Sequence, residues 1–264
     1  MKHLLVDKYS GPNIKFNVKD VLFGGNEKVF ISGPCSVESY EQMDELAYQL
    51  SNIGVNMLRG GAFKPRTSPY DFQGLKQEGI KILKSISEKY NMPVVTEIMD
   101  IRDLEILLPN IDMLQIGSRN MYNYSLLKEV GKLDVPVLLK RGMSATIQEW
   151  MYAAEYIMSE GNEKIVLCER GIRTFETYTR NTLDINAVAV VKNKFRLPII
   201  VDPSHGTGLR EIVHSMSLAS IAAGADGLII ESHINPDLAI SDARQTVDVE
   251  TVHRIIKSVE KMGW

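Results

Sequence analysis

The chain has 264 residues, of which 44% are hydrophobic and 24% are charged, and its formal net charge at pH 7 is −3. This composition is ordinary for a globular protein and excludes the collagen-like and disordered classes. The absence of a basic excess argues against a protein that binds nucleic acid. The length suits one barrel domain, since α/β barrels typically have about 250 residues.

Short segments rich in Val, Ile, Leu and Met recur along the chain, each followed by a polar motif and a longer helical pattern. Continuous apolar runs of this kind are typical of parallel strands that are buried on both faces. The eight predicted strands are VFISGP (29–34), NMLRGG (56–61), PVVTEIM (93–99), MLQIGS (113–118), PVLLKRG (136–142), KIVLCER (164–170), PIIVDPS (198–204) and GLIIES (227–232).

The segments between these strands are amphipathic, with apolar residues at helical spacing. Several strands begin at a proline, which stops the preceding helix. The pattern predicts a single-domain (β/α)8 TIM barrel over residues 29–264, whereas the alternative, a doubly wound open sheet, normally has fewer units and leaves open edges. The clearest predicted helices are 39–52, 71–90, 146–160, 209–223 and 247–262.

Residues 1–28 precede the first predicted strand and are too few for an independent domain. We expect this N-terminal extension to form a hairpin or an arm across the bottom of the barrel, through FNVKDVLF and a turn at Gly24-Gly25-Asn26.

The sequence predicts a cytoplasmic protein that does not bind membranes. Its N-terminus has only a three-residue apolar run, Leu4-Leu5-Val6, too short for a signal-peptide core. No apolar run approaches the roughly 18 residues that span a bilayer. The two cysteines, Cys35 and Cys168, do not make a disulfide framework.

The carboxyl ends of barrel strands carry the chemistry of barrel enzymes. The predicted strands deliver Cys35, Arg59, Glu97, Arg119, Lys140, Arg170, His205 and Glu231 to this rim. Crowded cations repel one another unless an anion compensates them, and Arg forks suit phosphate and carboxylate groups. We therefore predict a substrate with several negative charges, such as a phosphorylated carboxylic acid, and we expect Lys64, Arg66 and Arg141 to join the pocket.

A thiol, an imidazole and two carboxylates form a second candidate group, made of Cys35, His205, Glu231 and Asp242. Closure of the barrel makes the first, seventh and eighth strands neighbours. Such a mixed donor set suits one divalent Mn, Fe, Co or Zn ion. The alternative for Cys35 is a small buried thiol, and Asp202 is a candidate to contact substrate or metal-bound water.

The motifs along residues 28–246 closely resemble those of the 3-deoxy-D-arabino-heptulosonate 7-phosphate (DAHP) synthase family, in its short type I-beta branch. They are GPCSVES (33–39), LRGGAFKPRTSPYDFQG (58–74), TE (96–97), QIGSRN (115–120), LLKRGM (138–143), CERGIRTFE (168–176), DPSHGTG (202–208), ESH (231–233) and SDARQT (241–246).

The resemblance implies a transferase that condenses phosphoenolpyruvate with erythrose 4-phosphate in the first step of the shikimate pathway. It implies that the predicted cysteine, histidine and acidic set binds the metal and that the protein is a homotetramer. The expected substrate-binding residues are Arg59, Lys64, Pro65, Arg66, Thr67, Gln115, Ser118, Arg119, Lys140 and Arg170. The expected catalytic residues are Lys64, Glu97, Asp202 and His205, with Lys64 as a donor to the developing alkoxide and Glu97 and Asp202 as groups that handle water.

Three alternatives remain open from the sequence. The sister enzyme that makes 3-deoxy-D-manno-octulosonate 8-phosphate uses arabinose 5-phosphate, but its loop resembles KANR where this chain has KPRT (64–67). A Schiff-base aldolase could use Lys140, and a non-catalytic phosphometabolite sensor could share the barrel. Because the length leaves no room for a fused regulatory domain, we also expect no tight inhibition by aromatic amino acids.

Overall fold

The structure of the chain is a computed structural model that describes residues 3–64, 68 and 70–264. Eight parallel strands form a closed barrel in chain order, and the last of them pairs with the first. The predicted (β/α)8 barrel is confirmed. The strands are β3 (Val29–Gly33), β4 (Met57–Arg59), β5 (Val94–Ile98), β6 (Met113–Ile116), β7 (Val137–Lys140), β8 (Ile165–Glu169), β9 (Ile199–Val201) and β10 (Gly227–Glu231).

Helices follow the strands and cover the outside of the barrel. Most begin at a side-chain cap, which satisfies backbone N–H groups that have no partner within the helix. Thr146, for example, forms a reciprocal capping box with Glu149. The helices are α1 (Tyr40–Ser51), α2 (Gln77–Tyr90), α3 (Leu104–Leu107), α4 (Tyr124–Gly131), α5 (Ile147–Met158), α6 (Ile185–Lys194), α7 (Pro203–Thr207), α8 (Arg210–Ala222) and α9 (Val249–Lys261).

The helix predicted over residues 71–90 begins later, at Gln77. Gly74 and Lys76 both have positive φ angles, of 87° and 53°, which a right-handed helix cannot contain. A side chain at Gly74 would also lie 2.2 Å from the carbonyl oxygen of Ala62. The backbone of residues 71–76 is therefore a loop, packed against the chain that follows β4.

The N-terminal extension contains an antiparallel hairpin of β1 (Phe16–Val18) and β2 (Val21–Phe23). Its turn is at Lys19 and Asp20, not at Gly24-Gly25-Asn26 as predicted, because Lys19 adopts the left-handed conformation. Lys19 pairs with Asp112 just before β6, at 3.1 Å. The hairpin therefore lies at the amino ends of the strands, opposite the predicted site.

The barrel strands are buried, as their apolar composition predicts. Among all their residues only Glu97 is partly exposed, and it faces the carboxyl-terminal mouth of the barrel. Within the described part of the chain, no helix combines the length and the apolar character needed to cross a membrane.

Candidate active site

A cavity of about 110 Å³ opens at the carboxyl ends of the strands. Basic side chains dominate its wall, and they come from distant parts of the sequence. Each predicted substrate-binding residue that the structure describes lies in this wall. The lining residues are Arg59, Lys64, Glu97, Gln115, Gly117, Ser118, Arg119, Lys140, Met143, Arg170, Arg180, His205 and Asp242. The predicted Pro65, Arg66 and Thr67 lie outside the described residues.

Arg59 is one of the buried cations of this wall, at the end of β4. Its side chain is 7% exposed, and one terminal nitrogen is 3.1 Å from Glu231. Its Nε and Nη1 have no hydrogen-bond partner among the described residues. A buried guanidinium with unpaired N–H groups is costly unless an anion accepts from them. This arrangement indicates a phosphate- or carboxylate-binding position.

Lys140 and Arg170 complete the floor of the pocket, and both are nearly fully buried. Lys140 donates to Asp202 at 2.6 Å. Burial lowers the pKa of Arg170 below its ordinary value, but a guanidinium remains charged. An anionic substrate would compensate this buried positive charge.

The predicted metal ligands meet beside this pocket. One donor atom each from Cys35, Glu231 and Asp242 lies within 4.8 Å of the others. The thiol of Cys35 is 3.1 Å from Asp242 Oδ2, and His205 Nε2 is 3.5 Å from Glu231 Oε1. Three of the four predicted ligands, Cys35, Glu231 and Asp242, are thus brought together, and His205 lies outside this group of three and contacts it through Glu231. A thiolate, an imidazole and two carboxylates fit a borderline divalent ion.

Cys35 is almost completely buried, which raises the pKa of its thiol to about 12. The ammonium group of Lys64 donates to its carbonyl oxygen at 2.8 Å and to its sulfur at 2.9 Å. Because metal binding requires the thiolate, an ion at this site would displace the thiol proton.

Asp202 lies beneath the pocket and is fully buried. It accepts from the backbone N–H of His205 at 2.9 Å and contacts the ring Nδ1 at 2.7 Å. Burial opposes its charge, but His205 and Lys140 hold the pKa of Asp202 well below its usual range. With Nδ1 directed to a carboxylate, Nε2 of His205 is left facing the metal ligands. This geometry supports an orienting role for Asp202, and its handling of water stays a prediction.

Glu97 is one of two carboxylates in the wall of the pocket, the other being Asp242 of the metal-binding set. Its Oε2 accepts from Gln115 at 3.2 Å. Gly117 lies directly against it, and a Cβ there would be 2.0 Å from Glu97 Oε1. The glycine therefore leaves space that the carboxylate occupies.

Two basic residues differ from the sequence prediction. Arg141 does not join the pocket, but donates to Glu169 at 2.9 Å and to Asp184 at 2.8 Å, outside the mouth. Neighbouring residues at a strand end point to opposite sides, and Lys140 takes the inner side. Arg180, which was not predicted, lines the pocket from the loop after β8. Its position in a long loop gave no periodic signal.

Comparison with known proteins places these features in one family. The sequence profile of the DAHP synthetase I family matches residues 12–264. A phospho-2-dehydro-3-deoxyheptonate aldolase of Thermotoga maritima is 49% identical over 244 residues, covering 92% of this chain and 72% of that protein. A 2-dehydro-3-deoxyphosphooctonate aldolase of Syntrophotalea carbinolica is 30% identical, covering 92% of this chain and 93% of that protein.

Solved structures agree with the sequence matches. A crystal structure of the Thermotoga maritima phospho-2-dehydro-3-deoxyheptonate aldolase (DAHP synthase) has a TM-score of 0.96 and 46% identity, covering 99% of this chain and 77% of that chain. A truncated form of the 3-deoxy-D-arabino-heptulosonate 7-phosphate synthase from the same organism has a TM-score of 0.91 and 43% identity. The match covers 98% of this chain and 95% of that chain. On the profile match and on these identities, the chain belongs to the DAHP synthetase I family.

Proposed function

We propose that this chain is a transferase that condenses phosphoenolpyruvate and erythrose 4-phosphate with water, giving 3-deoxy-D-arabino-heptulosonate 7-phosphate and phosphate. This is the first step of the shikimate pathway to the aromatic amino acids. The observation that carries the proposal is the buried basic pocket directly beside a set of metal-binding side chains. An anion pocket positions the enol phosphate, and the adjacent donors hold an ion next to the second substrate.

Phosphoenolpyruvate supplies the negative charge that the pocket lacks. Arg59, Arg119, Lys140 and Arg170 bind its phosphate and carboxylate groups in this proposal, with Gln115 and Ser118 on the same wall. The unpaired N–H groups of Arg59 provide two donors that are already oriented. Holding two reactants in position can lower the activation free energy by about 7–11 kcal/mol.

One divalent ion, of Mn, Fe, Co or Zn, completes the site in this proposal. Its ligands are Cys35, His205, Glu231 and Asp242. When bound, such an ion polarises a carbonyl oxygen as a Lewis acid. Asp202 fixes the ring of His205 for this role, as carboxylate partners of metal-binding histidines commonly do.

Lys64 is placed to donate to the sugar aldehyde as its oxygen gains negative charge. Its ammonium group is 2.9 Å from Cys35 Sγ, so the aldehyde oxygen would lie near both Lys64 and the metal ligands. The resemblance assigns the sugar phosphate to Pro65, Arg66 and Thr67.

The chemical steps balance without a further reactant. The enol carbon of phosphoenolpyruvate forms a bond to the aldehyde carbon, and the aldehyde oxygen takes a proton. Water then adds to the carbon that bears the phosphate, and the C–O bond to phosphate breaks to leave the keto acid. Glu97, the carboxylate of the pocket wall that is not among the proposed metal ligands, is the candidate that accepts the proton of this water.

The choice of sugar separates this function from that of the sister enzyme. The comparisons favour the seven-carbon product, since seven matched phosphooctonate aldolases are 28–30% identical to this chain, against 49% for a deoxyheptonate aldolase. We expect phosphate release from phosphoenolpyruvate to be much faster with erythrose 4-phosphate than with arabinose 5-phosphate. Faster release with the pentose would reverse the assignment.

The experiment is a matrix of metals and sugars on chelator-treated protein. Each of Mn, Fe, Co and Zn is restored singly, and phosphate release is measured with each sugar. Activity only after metal addition supports the proposal. Binding of phosphoenolpyruvate without phosphate release under every condition would support a non-catalytic sensor instead.

A homotetrameric assembly is a proposal that rests on the resemblance, and a cytoplasmic location stays a prediction from the sequence. Light scattering on protein eluted from a size-exclusion column tests the homotetramer. A mass close to four times the 29.6 kDa of one chain is expected, and a monomer would contradict it.

A further inference from the structure

The loop that joins β10 to α9 carries Asp242 in an unusual backbone conformation. Its φ angle is 54°, in the left-handed region that non-glycine residues rarely adopt. The carbonyl oxygen of Asp242 accepts from the backbone N–H groups of Gln245 at 3.1 Å and Thr246 at 3.3 Å, and from the Thr246 hydroxyl at 3.0 Å. Such a conformation persists where surrounding bonds fix it, and it is common at functional sites.

Gln245, three residues further on, connects this loop to the second carboxylate of the site. Its side chain is buried, with the residue 2% exposed. Its Nε2 donates to Glu231 Oε2 at 2.6 Å, and its Oε1 accepts from Arg180 at 3.2 Å. A carboxylate needs a donor and a guanidinium needs an acceptor, so these two neighbours fix which way the amide points.

Arg180, in the wall of the pocket, contacts both Gln245 and Asp242. The same terminal nitrogen that donates to Gln245 also donates to Asp242 Oδ1, at 3.0 Å. One guanidinium and one amide thus join both carboxylates of the metal-binding set.

These bonds engage one oxygen of each carboxylate and leave the other toward the remaining ligands. Glu231 is bonded through Oε2, and its Oε1 lies 3.5 Å from His205 and 3.1 Å from the Arg59 guanidinium. Asp242 is bonded through Oδ1, and its Oδ2 lies 3.1 Å from Cys35 Sγ. The two oxygens that face Cys35 and His205 are those that an ion between these residues would use.

We propose that Arg180 and Gln245 are positioning residues that orient the carboxylates of Glu231 and Asp242 for the metal ion. The inference rests on the proposed function, since it concerns the ion of that site. Hydrogen-bonding partners of metal ligands typically contribute a factor of about 10–100 in metal affinity. We expect effects of this size although neither residue is itself a ligand.

The experiment compares metal affinity in variants of the full chain, measured by competition with a fluorescent chelator. Gln245→Met keeps the volume but removes the amide, and it should weaken Mn²⁺ or Co²⁺ binding by about 10–100-fold. Arg180→Met should weaken binding in the same direction, and Arg180→Lys should recover part of the loss. The control is Arg244→Ala, an exposed arginine of the same loop, which should leave the affinity within about twofold.

A second measurement detects the geometry of the bound ion without any turnover. The Co²⁺-loaded protein should show a cobalt–thiolate charge-transfer band from Cys35, and its position or intensity should change in Gln245→Met but not in Arg244→Ala. Wild-type affinity and an unchanged band in both Gln245→Met and Arg180→Met would overturn the proposal. If Gln245→Met does not fold, the metal affinity and the charge-transfer band of Arg180→Met test the proposal alone, since Arg180 is half-exposed.

These outcomes are distinct from failure of the proposed function. A wild-type protein that binds metal, responds to both substitutions and yet releases no phosphate with erythrose 4-phosphate would refute the function but keep the positioning role. An active wild type whose variants bind metal unchanged would refute the positioning role alone.

Discussion

Substitution of Gly117 by alanine tests whether Glu97 performs the proposed proton transfer. The added Cβ would lie 2.0 Å from Glu97 Oε1, whereas ordinary contacts are 3.4–4 Å. The carboxylate therefore has to move by at least about 1.4 Å to restore contact. A displacement near 1 Å in a reacting group can cost about 100-fold in rate. We predict a loss of about 100-fold in kcat for Gly117→Ala.

Stability should change little, because the obstructing atoms are the flexible end of a side chain. Gly25→Ala is a matched control at the opposite end of the barrel, where a Cβ would lie 2.9 Å from Leu22 Cδ2. Phosphate release gives kcat for both variants, and thermal unfolding gives their stability. Wild-type kcat in Gly117→Ala would refute the role of Glu97. Loss of activity together with a large fall in the unfolding midpoint would show that the glycine acts through stability instead.

Three further predictions concern the buried charges and the metal. Asp202→Asn should lower the free energy of unfolding by about 3–5 kcal/mol, since it leaves Lys140 buried without its carboxylate. Urea denaturation measures this free energy, and a change below about 1 kcal/mol would contradict the prediction. Mn²⁺ at 100 times its Kd should stabilise the chelator-treated protein by about 2.7 kcal/mol, measured as a rise in the midpoint of thermal unfolding. Cys35→Ala should lose this rise, and a variant that retains it would show that the ion binds elsewhere. Borohydride with phosphoenolpyruvate and erythrose 4-phosphate should not label Lys140, which donates to Asp202; covalent labelling detected by mass spectrometry would favour a Schiff-base mechanism.

The barrel and most of its mouth could be predicted because buried parallel strands leave a clear apolar signal. Once the strand ends are located, closure of the barrel decides which side chains meet. Cys35, His205 and Glu231 are far apart in the sequence, but their strands are neighbours at the point of closure. The predicted basic pocket follows from the same reasoning at Arg59 and Lys140.

Features that depend on loops or on individual backbone angles could not be predicted in this way. The late start of α2 follows from positive φ angles at Gly74 and Lys76, and the turn of the hairpin follows from Lys19. Arg180 bonds to residues 62 and 65 positions away, from a segment without secondary structure. No periodic pattern indicates such a contact.

The direction in which a side chain points at a strand end also could not be predicted from the sequence. Lys140 and Arg141 are adjacent cations, and the sequence alone placed both at the pocket. In the structure Arg141 is engaged by Glu169 and Asp184 on the outer side. Alternation at the strand end separates the two side chains, and carboxylates from distant positions hold Arg141 on the outer side.

The most direct test of the central claim is anomalous diffraction from crystals of the protein grown with Mn²⁺ and phosphoenolpyruvate. One strong manganese peak is expected, bounded by Cys35, His205, Glu231 and Asp242, with the phosphate or carboxylate group of the substrate bonded to Arg59. A manganese peak away from these four side chains, or phosphoenolpyruvate bound outside the basic pocket, would contradict it.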